Sequence, residues 1–356
     1  MKVLITGNMG YIGPRVGARL RASFPQATLI GLDIGYFAHC LTGAETLPER
    51  IYDQQLFADV RQVSVETFRG VDAVVHLAAI SNDPMGNTFE DVTDEINFKS
   101  SVRVARLARE AGVRRFIFAS SCSMYGAAEG APRKEADAIN PLTAYARSKV
   151  ATEQALPELA GENFIVTSLR FATACGMSER LRLDLVLNDF VAAAIVSKKI
   201  TILSDGTPWR PLIHVDDMAR AIEWGVTRTR ENGGTFIAVN AGSDAWNYQV
   251  KDLALAVAQA IPGIDVSINQ DAQPDKRSYR VNFSLFKELA PRFQPQVNLH
   301  AAIVGLKKGL ERMEFRETNF RDSRYMRLKV LTDLRQSGLI NESLEWSAGS
   351  AVAQVA

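Results

Sequence analysis

A tyrosine and a lysine four residues apart, Tyr145 and Lys149 in the stretch YARSK, have the residue types and the spacing of an acid/base pair. Residues four apart in a helix lie on one face, so the lysine charge can sit beside the phenol. Tyrosine at its ordinary pKa of about 10 is a poor base near neutral pH, and a nearby positive charge makes its phenolate accessible. Such a pair could take a proton from a secondary alcohol while hydride leaves the carbon. The same pair could also be polar residues on a solvent-exposed helix surface, so other motifs are needed to distinguish an active site from such a surface.

A glycine motif at the start of the chain predicts a dinucleotide site. The stretch TGNMGYIG, residues 6–13, follows a short apolar run and carries Gly7, Gly10 and Gly13. These glycines allow a tight turn, a close backbone approach to a pyrophosphate, and close packing of the next helix. A second apolar run ends in LIGLD, where Asp33 can bond an adenosine ribose and repel a 2′-phosphate. No arginine follows Asp33 closely, so the predicted cofactor is NAD.

The order of apolar runs and helical patterns predicts an α/β fold. Buried strands separated by amphipathic helices indicate a Rossmann-type, doubly wound parallel sheet, with its ligand at the carboxyl ends of the strands. We therefore assign residues 1–170 to an NAD-binding Rossmann domain and residues 171–346 to a smaller C-terminal substrate-binding lobe. Segments near 212–242 can return to the first domain, and residues 347–356 are expected to be a disordered tail. The predicted strands are 3–6, 29–32, 73–77, 116–119, 165–169 and 235–240, and residues 320–339 are predicted to form a terminal helix.

Composition narrows the class of protein. The 41 Lys and Arg residues balance 40 Asp and Glu residues, which gives no overall field to attract nucleic acid or an anionic membrane. The three cysteines form no CxxC pair, and the four histidines share no metal-ligand spacing, so neither a disulfide framework nor a metal site is expected. No leader pattern begins the chain and no stretch approaches 18 apolar residues. We expect a cytoplasmic protein without a membrane or nucleic-acid partner.

Further motifs follow in a fixed order along the chain. They are ADV at 58–60, HLAA at 76–79, Asn97, SSCSMYG at 120–126 and DGTPWRPLIHVDD at 205–217. Together with the glycine motif and YARSK, they resemble the extended short-chain dehydrogenase/reductase family, specifically its nucleotide-sugar epimerase/dehydratase branch. The resemblance runs from residue 1 to about residue 346. It implies bound NAD, a nucleotide-sugar substrate, and a homodimer formed by helices near 90–111 and 143–159.

The resemblance also implies a role for each matching residue. Tyr145 would be the general acid/base, Lys149 would lower the pKa of Tyr145 and hold the nicotinamide ribose, and Ser121 would polarise the reacting oxygen. The expected cofactor-binding residues are Gly7, Gly10, Tyr11, Ile12, Gly13, Asp33, Asp59, Val60, Leu77, Ala78, Ala79, Asn97, Tyr145 and Lys149. The expected substrate-binding residues are Ser81, Asn82, Ser123, Arg182, Asn188, Arg210 and Arg277.

Two positions after Ser121 bear on the reaction. Sugar 4,6-dehydratases of this family carry an Asp-Glu pair there, whereas this chain has Cys122 and Ser123. Some 3,5-epimerases of the family use a cysteine at the position of Ser123, so Cys122 is one place off and is expected to be a packed residue. What remains is oxidation at C4 and return of the hydride, as in a nucleotide-sugar 4-epimerase. A 4-ketoreductase or dehydrogenase with net redox turnover is the alternative.

Overall fold

The structure, a computed structural model, describes residues 1–43, 45–81, 83–269, 272 and 277–347. Its strands are β1 Lys2–Thr6, β2 Thr28–Asp33, β3 Gln54–Phe57, β4 Ala73–His76, β5 Arg115–Ser121, β6 Ile165–Phe171, β7 Thr173–Cys175, β8 Lys199–Ile202, β9 Trp209–His214, β10 Phe236–Ala241, β11 Asn247–Gln249 and β12 Asp265–Ile268. Its α-helices are α1 Gly13–Ser23, α2 Asp83–Thr88, α3 Glu90–Asp94, α4 Ser100–Glu110, α5 Ala144–Ala155, α6 Val186–Ser197, α7 Val215–Thr227, α8 Val250–Ala260, α9 Ser284–Leu289, α10 Leu299–Arg312 and α11 Arg327–Gln336.

A parallel sheet of seven strands, in the order β10-β6-β5-β4-β1-β2-β3, forms the centre of the molecule. Successive side chains of one strand point to opposite faces, and both faces are buried. Val75 and Ile117 belong to the core on one face, and Val74 and Phe116 to the core on the other. The predicted Rossmann-type fold is confirmed. This topology brings the loops after β1, β2, β4 and β5 to one edge of the sheet.

The chain returns to this sheet after it has begun the second lobe. Strand β10 pairs with β6 in parallel, and helix α7 packs against α1. This is the segment for which the sequence allowed a return. The lobe itself contains a small sheet, β11-β9-β7, and a two-stranded parallel pair of β8 and β12. Helices α6, α8 and α10 pack on one another beside these strands.

The last described part of the chain departs from the sequence prediction. In place of one helix over 320–339, the structure has a 3-10 turn at Phe320–Asp322, a second turn over residues 323–326 and then α11. Met326 N donates to Ser323 O at 3.0 Å in the second turn, and the Tyr325 carbonyl accepts a hydrogen bond from Leu183 N, also at 3.0 Å. Residues 331, 340 and 344 then pack into the core of the first domain rather than the substrate lobe. We call residues 320–347 the C-terminal arm.

Nothing in the described structure is both long and apolar enough, as a helix, to span a bilayer. Of the predicted tail at 347–356, only Ser347 lies among the described residues.

Candidate active site

The glycine motif forms a tight cradle between β1 and α1. Gly7 has φ +71°, and a Cβ there would lie 2.6 Å from Ala78 N. A Cβ on Gly13 would lie 2.0 Å from Asn8 O, so both positions require glycine. Helix α1 starts after Ile12 without any side-chain cap, which leaves its first N–H groups for an outside acceptor. A free helix N-terminus beside glycine backbone suits a pyrophosphate.

Two other members of the motif have distinct roles. A Cβ on Gly10 would lie 3.2 Å from Gly7 O, so a larger residue would press on the turn. The Tyr11 side chain is buried, and its Oη donates to Gly176 O at 2.5 Å. Tyr11 therefore fastens the cradle to the segment after β7, while its backbone stays at the helix N-terminus.

Asp33 joins the cradle to the loop that follows β2. Its carboxylate accepts hydrogen bonds from Met9 N, at 3.0 Å, and from Gly35 N, at 2.8 Å. Burial raises the pKa of this carboxyl, while the two backbone donors act in the opposite direction. The residue sits at the carboxyl end of its strand, where a dinucleotide fold places the adenosine ribose.

Because Asp33 places a carboxylate at the ribose position, we expect NADP to bind at least about tenfold more weakly than NAD, a difference of about 1.4 kcal/mol. Asp33→Asn should narrow that gap, because it removes the charge and keeps the shape. Glu66→Gln, at an exposed carboxylate of the same domain, is the matched control. Fluorescence titration with both dinucleotides measures the ratio. Equal or tighter binding of NADP by the unaltered protein would contradict the assignment.

Asp59 and Val60 follow β3 at the same edge. The Asp59 carboxylate is bound by the Arg61 guanidinium at 2.6 Å, and both side chains are only 10% exposed. It also accepts from Arg61 N at 2.8 Å. Val60 is buried in the core. The sequence assigned Asp59 to the cofactor, and the structure shows a carboxylate already engaged by a neighbouring arginine.

The loop after β4 lines the cleft opposite the glycine motif. Leu77, Ala78 and Ala79 are each half-buried there. Thr6 holds the start of this loop, since Leu77 N donates to Thr6 O at 3.1 Å and Ala78 N donates to Thr6 Oγ1 at 3.3 Å. The backbone of Leu77 and Ala78 lies against Gly7 of the cradle, and Ala78 and Ala79 have small side chains.

The Asn97 side chain holds Ile80, the next residue of this loop, by two hydrogen bonds. It lies in a π-helical turn, Glu95–Lys99, and is fully buried. Its Oδ1 accepts from Ile80 N at 2.8 Å, and its Nδ2 donates to Ile80 O at 2.9 Å and Ser148 Oγ at 3.1 Å. These contacts connect the cleft loop to the helix that carries Lys149. The sequence assigned Asn97 to cofactor binding, and its amide is occupied by protein groups.

Tyr145, Lys149 and Ser121 converge at the centre of the cleft. Helix α5 starts at a Thr143 cap, whose Oγ1 accepts from Ala146 N at 3.2 Å, and this places Tyr145 in its first turn. Lys149 lies one turn later, with Nζ 5.7 Å from the centre of the Tyr145 ring. Ser121 ends β5, and its hydroxyl is a hydrogen-bond partner of Tyr145. The structure thus brings the three predicted catalytic residues together.

Burial acts in opposite directions on the two titratable members of this group. Desolvation raises the pKa of Tyr145 to about 12, while the hydrogen bond from Ser121 lowers it. Desolvation lowers the pKa of Lys149 to about 7. Each group alone resists becoming charged, but a phenolate and an ammonium side by side stabilise each other. The positive ring of an oxidised nicotinamide would further favour the phenolate.

The two residues after Ser121 present no carboxylate. Cys122 is fully buried, its Sγ donates to Arg170 O at 3.1 Å, and burial raises the pKa of its thiol. It is therefore a neutral packed side chain, as the one-residue offset indicated. Ser123 Oγ is buried and has no hydrogen-bond partner among the described residues. A buried hydroxyl without a partner is uncommon, so this one is available to a bound substrate.

Ser81 and Arg182 meet beside Tyr145. Arg182 is buried, its Nη1 donates to Ser81 Oγ at 2.7 Å, and its Nε donates to Asp184 Oδ1 at 2.9 Å. The charge of Arg182 also lowers the pKa of Tyr145. The predicted residue Asn82 lies outside the described residues. Across the part of the chain that is described, no cluster of three His, Cys, Asp or Glu residues could hold a metal ion.

The Asn188 side chain forms hydrogen bonds with other residues of the protein. It is fully buried, and its Oδ1 accepts from Gly176 N at 3.0 Å. Its Nδ2 donates to Tyr11 Oη at 3.0 Å and to Arg182 O at 2.8 Å. The sequence assigned Asn188 to the substrate, but its amide is used to hold the segment that carries Arg182.

Arg210 and Arg277, 67 residues apart in the chain, lie next to each other. Arg210, on β9, donates from Nη1 to the Arg277 carbonyl. Arg277 Nη1 pairs with Asp83 Oδ2 at 2.6 Å, and Thr143 Oγ1 donates to Asp83 Oδ1 at 2.6 Å. Asp83 therefore ties one of the arginines to the helix of Tyr145. Sequence reasoning missed Asp83, although it directly follows Ser81 and Asn82, which were expected to bind the substrate.

Comparison with known proteins shows the family to which the chain belongs. Residues 3–242 match the family described as NAD dependent epimerase/dehydratase family, and the chain belongs to that family. It is an enzyme family whose cofactor is NAD and whose substrates are nucleotide sugars.

Relatives within the family carry more than one activity. The chain is 30% identical over 235 residues to an uncharacterized UDP-glucose epimerase of Bacillus subtilis, which covers 62% of this chain and 71% of the relative. It is 26% identical to a dTDP-glucose 4,6-dehydratase of Streptomyces griseus, over 83% of this chain and 90% of the relative. The solved structure of MoeE5 with UDP-glucuronic acid and NAD matches the fold with a TM-score of 0.75 and 24% identity, over 88% of this chain and 99% of that one.

Proposed function

We propose that this protein is an NAD-dependent nucleotide-sugar 4-epimerase that acts through a transient 4-keto intermediate. Tyr145 takes the proton of the C4 hydroxyl, Ser121 holds the reacting oxygen, and Lys149 stabilises the phenolate. NAD, which the glycine cradle at Gly7 and Gly13 and the Asp33 carboxylate would hold, would supply the hydride chemistry at C4. Tyr145 then gives its proton back to the C4 oxygen. Protons and electrons balance over the cycle, so no co-reactant is consumed.

The observation that carries this proposal is the chemistry of positions 122 and 123. Elimination of water across C5 and C6 needs an acid and a base in addition to the tyrosine. Cys122 is a buried thiol facing Arg170 O, and Ser123 offers a neutral hydroxyl. Neither can serve as the carboxylate of a 4,6-dehydratase, so oxidation and reduction at C4 is the chemistry that Tyr145 supports.

The proposal is tested by assaying the purified protein without added cofactor. An epimerase regenerates NAD in every cycle, so the protein should interconvert a UDP-hexose and its C4 epimer, followed by NMR. Denaturation should release close to one NAD per chain. A 4-ketoreductase must exchange its cofactor after each turnover. Absence of isomerisation, together with oxidation of added NADH by a 4-keto sugar nucleotide, would reject the epimerase in favour of that reductase.

We assign Arg210 to the diphosphate of the nucleotide sugar, because its planar fork suits phosphate oxygens. Arg210→Ala should raise the KM for the nucleotide sugar about tenfold or more, since a charge-assisted hydrogen bond contributes about 1.5–3 kcal/mol. The affinity for NAD should change little. Arg280→Ala is the matched control, because Arg280 lies over the neighbouring Trp209 ring at 5.1 Å. Equal losses for nucleotide sugar and NAD would reject the assignment.

The homodimer implied by the family resemblance stays a proposal. The relevant helices α4 and α5 present charged or polar side chains outward, among them Arg103, Arg106, Arg147 and Gln154. Interfaces of stable homodimers are more apolar in their centre. Sedimentation velocity at micromolar concentration tests whether the protein is a dimer. If these arginines lie in the interface, the fraction of dimer should change with the salt concentration.

A further inference from the structure

The C-terminal arm begins with firm attachments to the substrate lobe. Arg321 pairs with Asp189 of α6 at 2.6 Å. Further along, the buried Arg327 donates from Nη2 to Arg180 O at 2.8 Å, and its guanidinium lies 4.7 Å from the centre of the Phe37 ring. These contacts run beside the segment that carries Arg182. The arm therefore starts in the lobe and is directed toward the first domain.

The far end of the arm contacts the loop that carries Asp33. Trp346 Nε1 donates to Ile34 O at 2.7 Å, and Ile34 directly follows Asp33. The Trp346 ring lies 5.8 Å from the Tyr36 ring, and Tyr36 Oη donates to the Leu344 carbonyl. Ile34 and Tyr36, two positions of this loop, are thus held by the arm.

The same end also contacts the loop that carries Asp59. Arg61 Nη1 donates to Ser343 O at 2.6 Å, while its Nε and Nη2 bind the Asp59 carboxylate. In a Rossmann-type fold the loops after the second and third strands flank the adenosine of the dinucleotide. The arm bridges both of them.

The end of the arm is held in place by buried side chains and by backbone hydrogen bonds. Ile340 and Leu344 are buried in the core of the first domain. Leu344 has φ +56°, an unfavourable backbone conformation for a residue with a side chain. Backbone hydrogen bonds close the turn around it, from Leu344 N to Asn341 O at 3.0 Å and from Ser347 N to Leu339 O at 2.9 Å. A strained turn persists when its surroundings hold it in place.

We propose that residues 340–347 form an adenosine latch, which holds the loops after Asp33 and Asp59 in the geometry that binds the adenosine half of NAD. Ile34, Tyr36 and Arg61 transmit this effect, and the latch does not touch Tyr145. The proposal concerns cofactor retention and does not depend on which nucleotide-sugar reaction the enzyme performs. A latch of this kind favours slow release of NAD over many turnovers.

The test compares the two halves of NAD. Three proteins are compared: the unaltered protein, Trp346→Ala and a chain ending at Leu339. The same procedure first removes bound cofactor from each, and each is then titrated with ADP-ribose and with nicotinamide mononucleotide. Trp346→Ala should weaken ADP-ribose binding about tenfold, which corresponds to about 1.4 kcal/mol. The shortened chain should lose at least as much. Binding of nicotinamide mononucleotide should change less than about twofold.

Arg321→Gln is the matched control, because it removes a contact of the same arm at its lobe end. It should leave the affinity for ADP-ribose unchanged. If the shortened chain fails to fold, Trp346→Ala decides alone, since that side chain is 43% exposed and its loss leaves the core intact. An unchanged affinity for ADP-ribose in Trp346→Ala, or equal losses for both halves of NAD, would overturn the proposal.

Discussion

Tyr145→Phe should lower kcat by about 10³-fold or more, because general acid/base catalysis contributes about 10²–10⁴-fold and the substitution removes the group that we propose as the acid/base. Ser121 forms a hydrogen bond with the Tyr145 hydroxyl, and Lys149 Nζ lies beside the Tyr145 ring. The affinity for NAD should stay within about threefold, since the ring remains and only the hydroxyl is lost. Steady-state kinetics and a cofactor titration measure the two effects.

Tyr248→Phe is the control for this substitution. It removes a half-buried phenol on β11, where the ring contacts Trp246 and lies outside the catalytic group. Its kcat should match that of the unaltered enzyme. A Tyr145→Phe enzyme that keeps more than about a tenth of its turnover would show that another group moves the proton.

Lys149→Met should change both the rate and its dependence on pH. Reaction requires the Tyr145 phenolate, whose pKa burial raises to about 12. We propose that the Lys149 ammonium stabilises this phenolate, so that its removal should leave less phenolate near neutral pH. We expect kcat at pH 7.5 to fall by about 10²-fold or more, and the residual rate to rise with pH into the alkaline range. An unchanged pH profile would contradict the role of the lysine charge.

The stability of the same variant separates catalysis from folding. Burial lowers the pKa of Lys149 to about 7, below its ordinary value of 10.5. Between these pH values the unfolded chain binds more protons, so the free energy of unfolding of the unaltered protein gains from Lys149 as pH rises. Lys149→Met should lack this gain and be at least as stable at pH 7. Denaturant unfolding at pH 7 and pH 9 measures both.

The sheet and the catalytic group could be predicted because their signals are local. Gly7, Gly13 and Asp33 occupy fixed offsets from two strands, and the turn requires glycine where a Cβ would meet backbone. Tyr145 and Lys149 are one helical turn apart. Residue type and spacing define the glycine turn and the placement of this pair on one helix face, whereas Ser121 and the catalytic roles were assigned from the family resemblance.

What the sequence missed depends on long-range partners. The pattern placed Asn188 and Asn97 near the cleft, but it could not show that Gly176, Ile80 and Ser148 use their amide groups. In the sequence, Asp83 is one of several polar residues. Its hydrogen bond with Arg277, 194 positions away, is visible only in the structure. A helical period over 320–339 likewise carried no information on which domain the arm would contact.

The arm shows the same limit in the partition of the chain. Leu331, Ile340 and Leu344 are apolar residues at ordinary spacing, compatible with either domain. Only the folded chain shows that they complete the core under β1 and β4. The predicted boundary at residue 170 assigned these three residues to the substrate-binding lobe, whereas their side chains pack in the core of the first domain.

In the proposed epimerase reaction, hydride leaves C4 and returns to C4 within one bound substrate. The most direct measurement is turnover of a UDP-hexose deuterated at C4, with no added cofactor, followed by NMR of the epimerised product. We expect full retention of deuterium at C4, and no solvent deuterium at C5 when the unlabelled sugar reacts in D₂O. Loss of the C4 label, or solvent exchange at C5 during isomerisation, would contradict it.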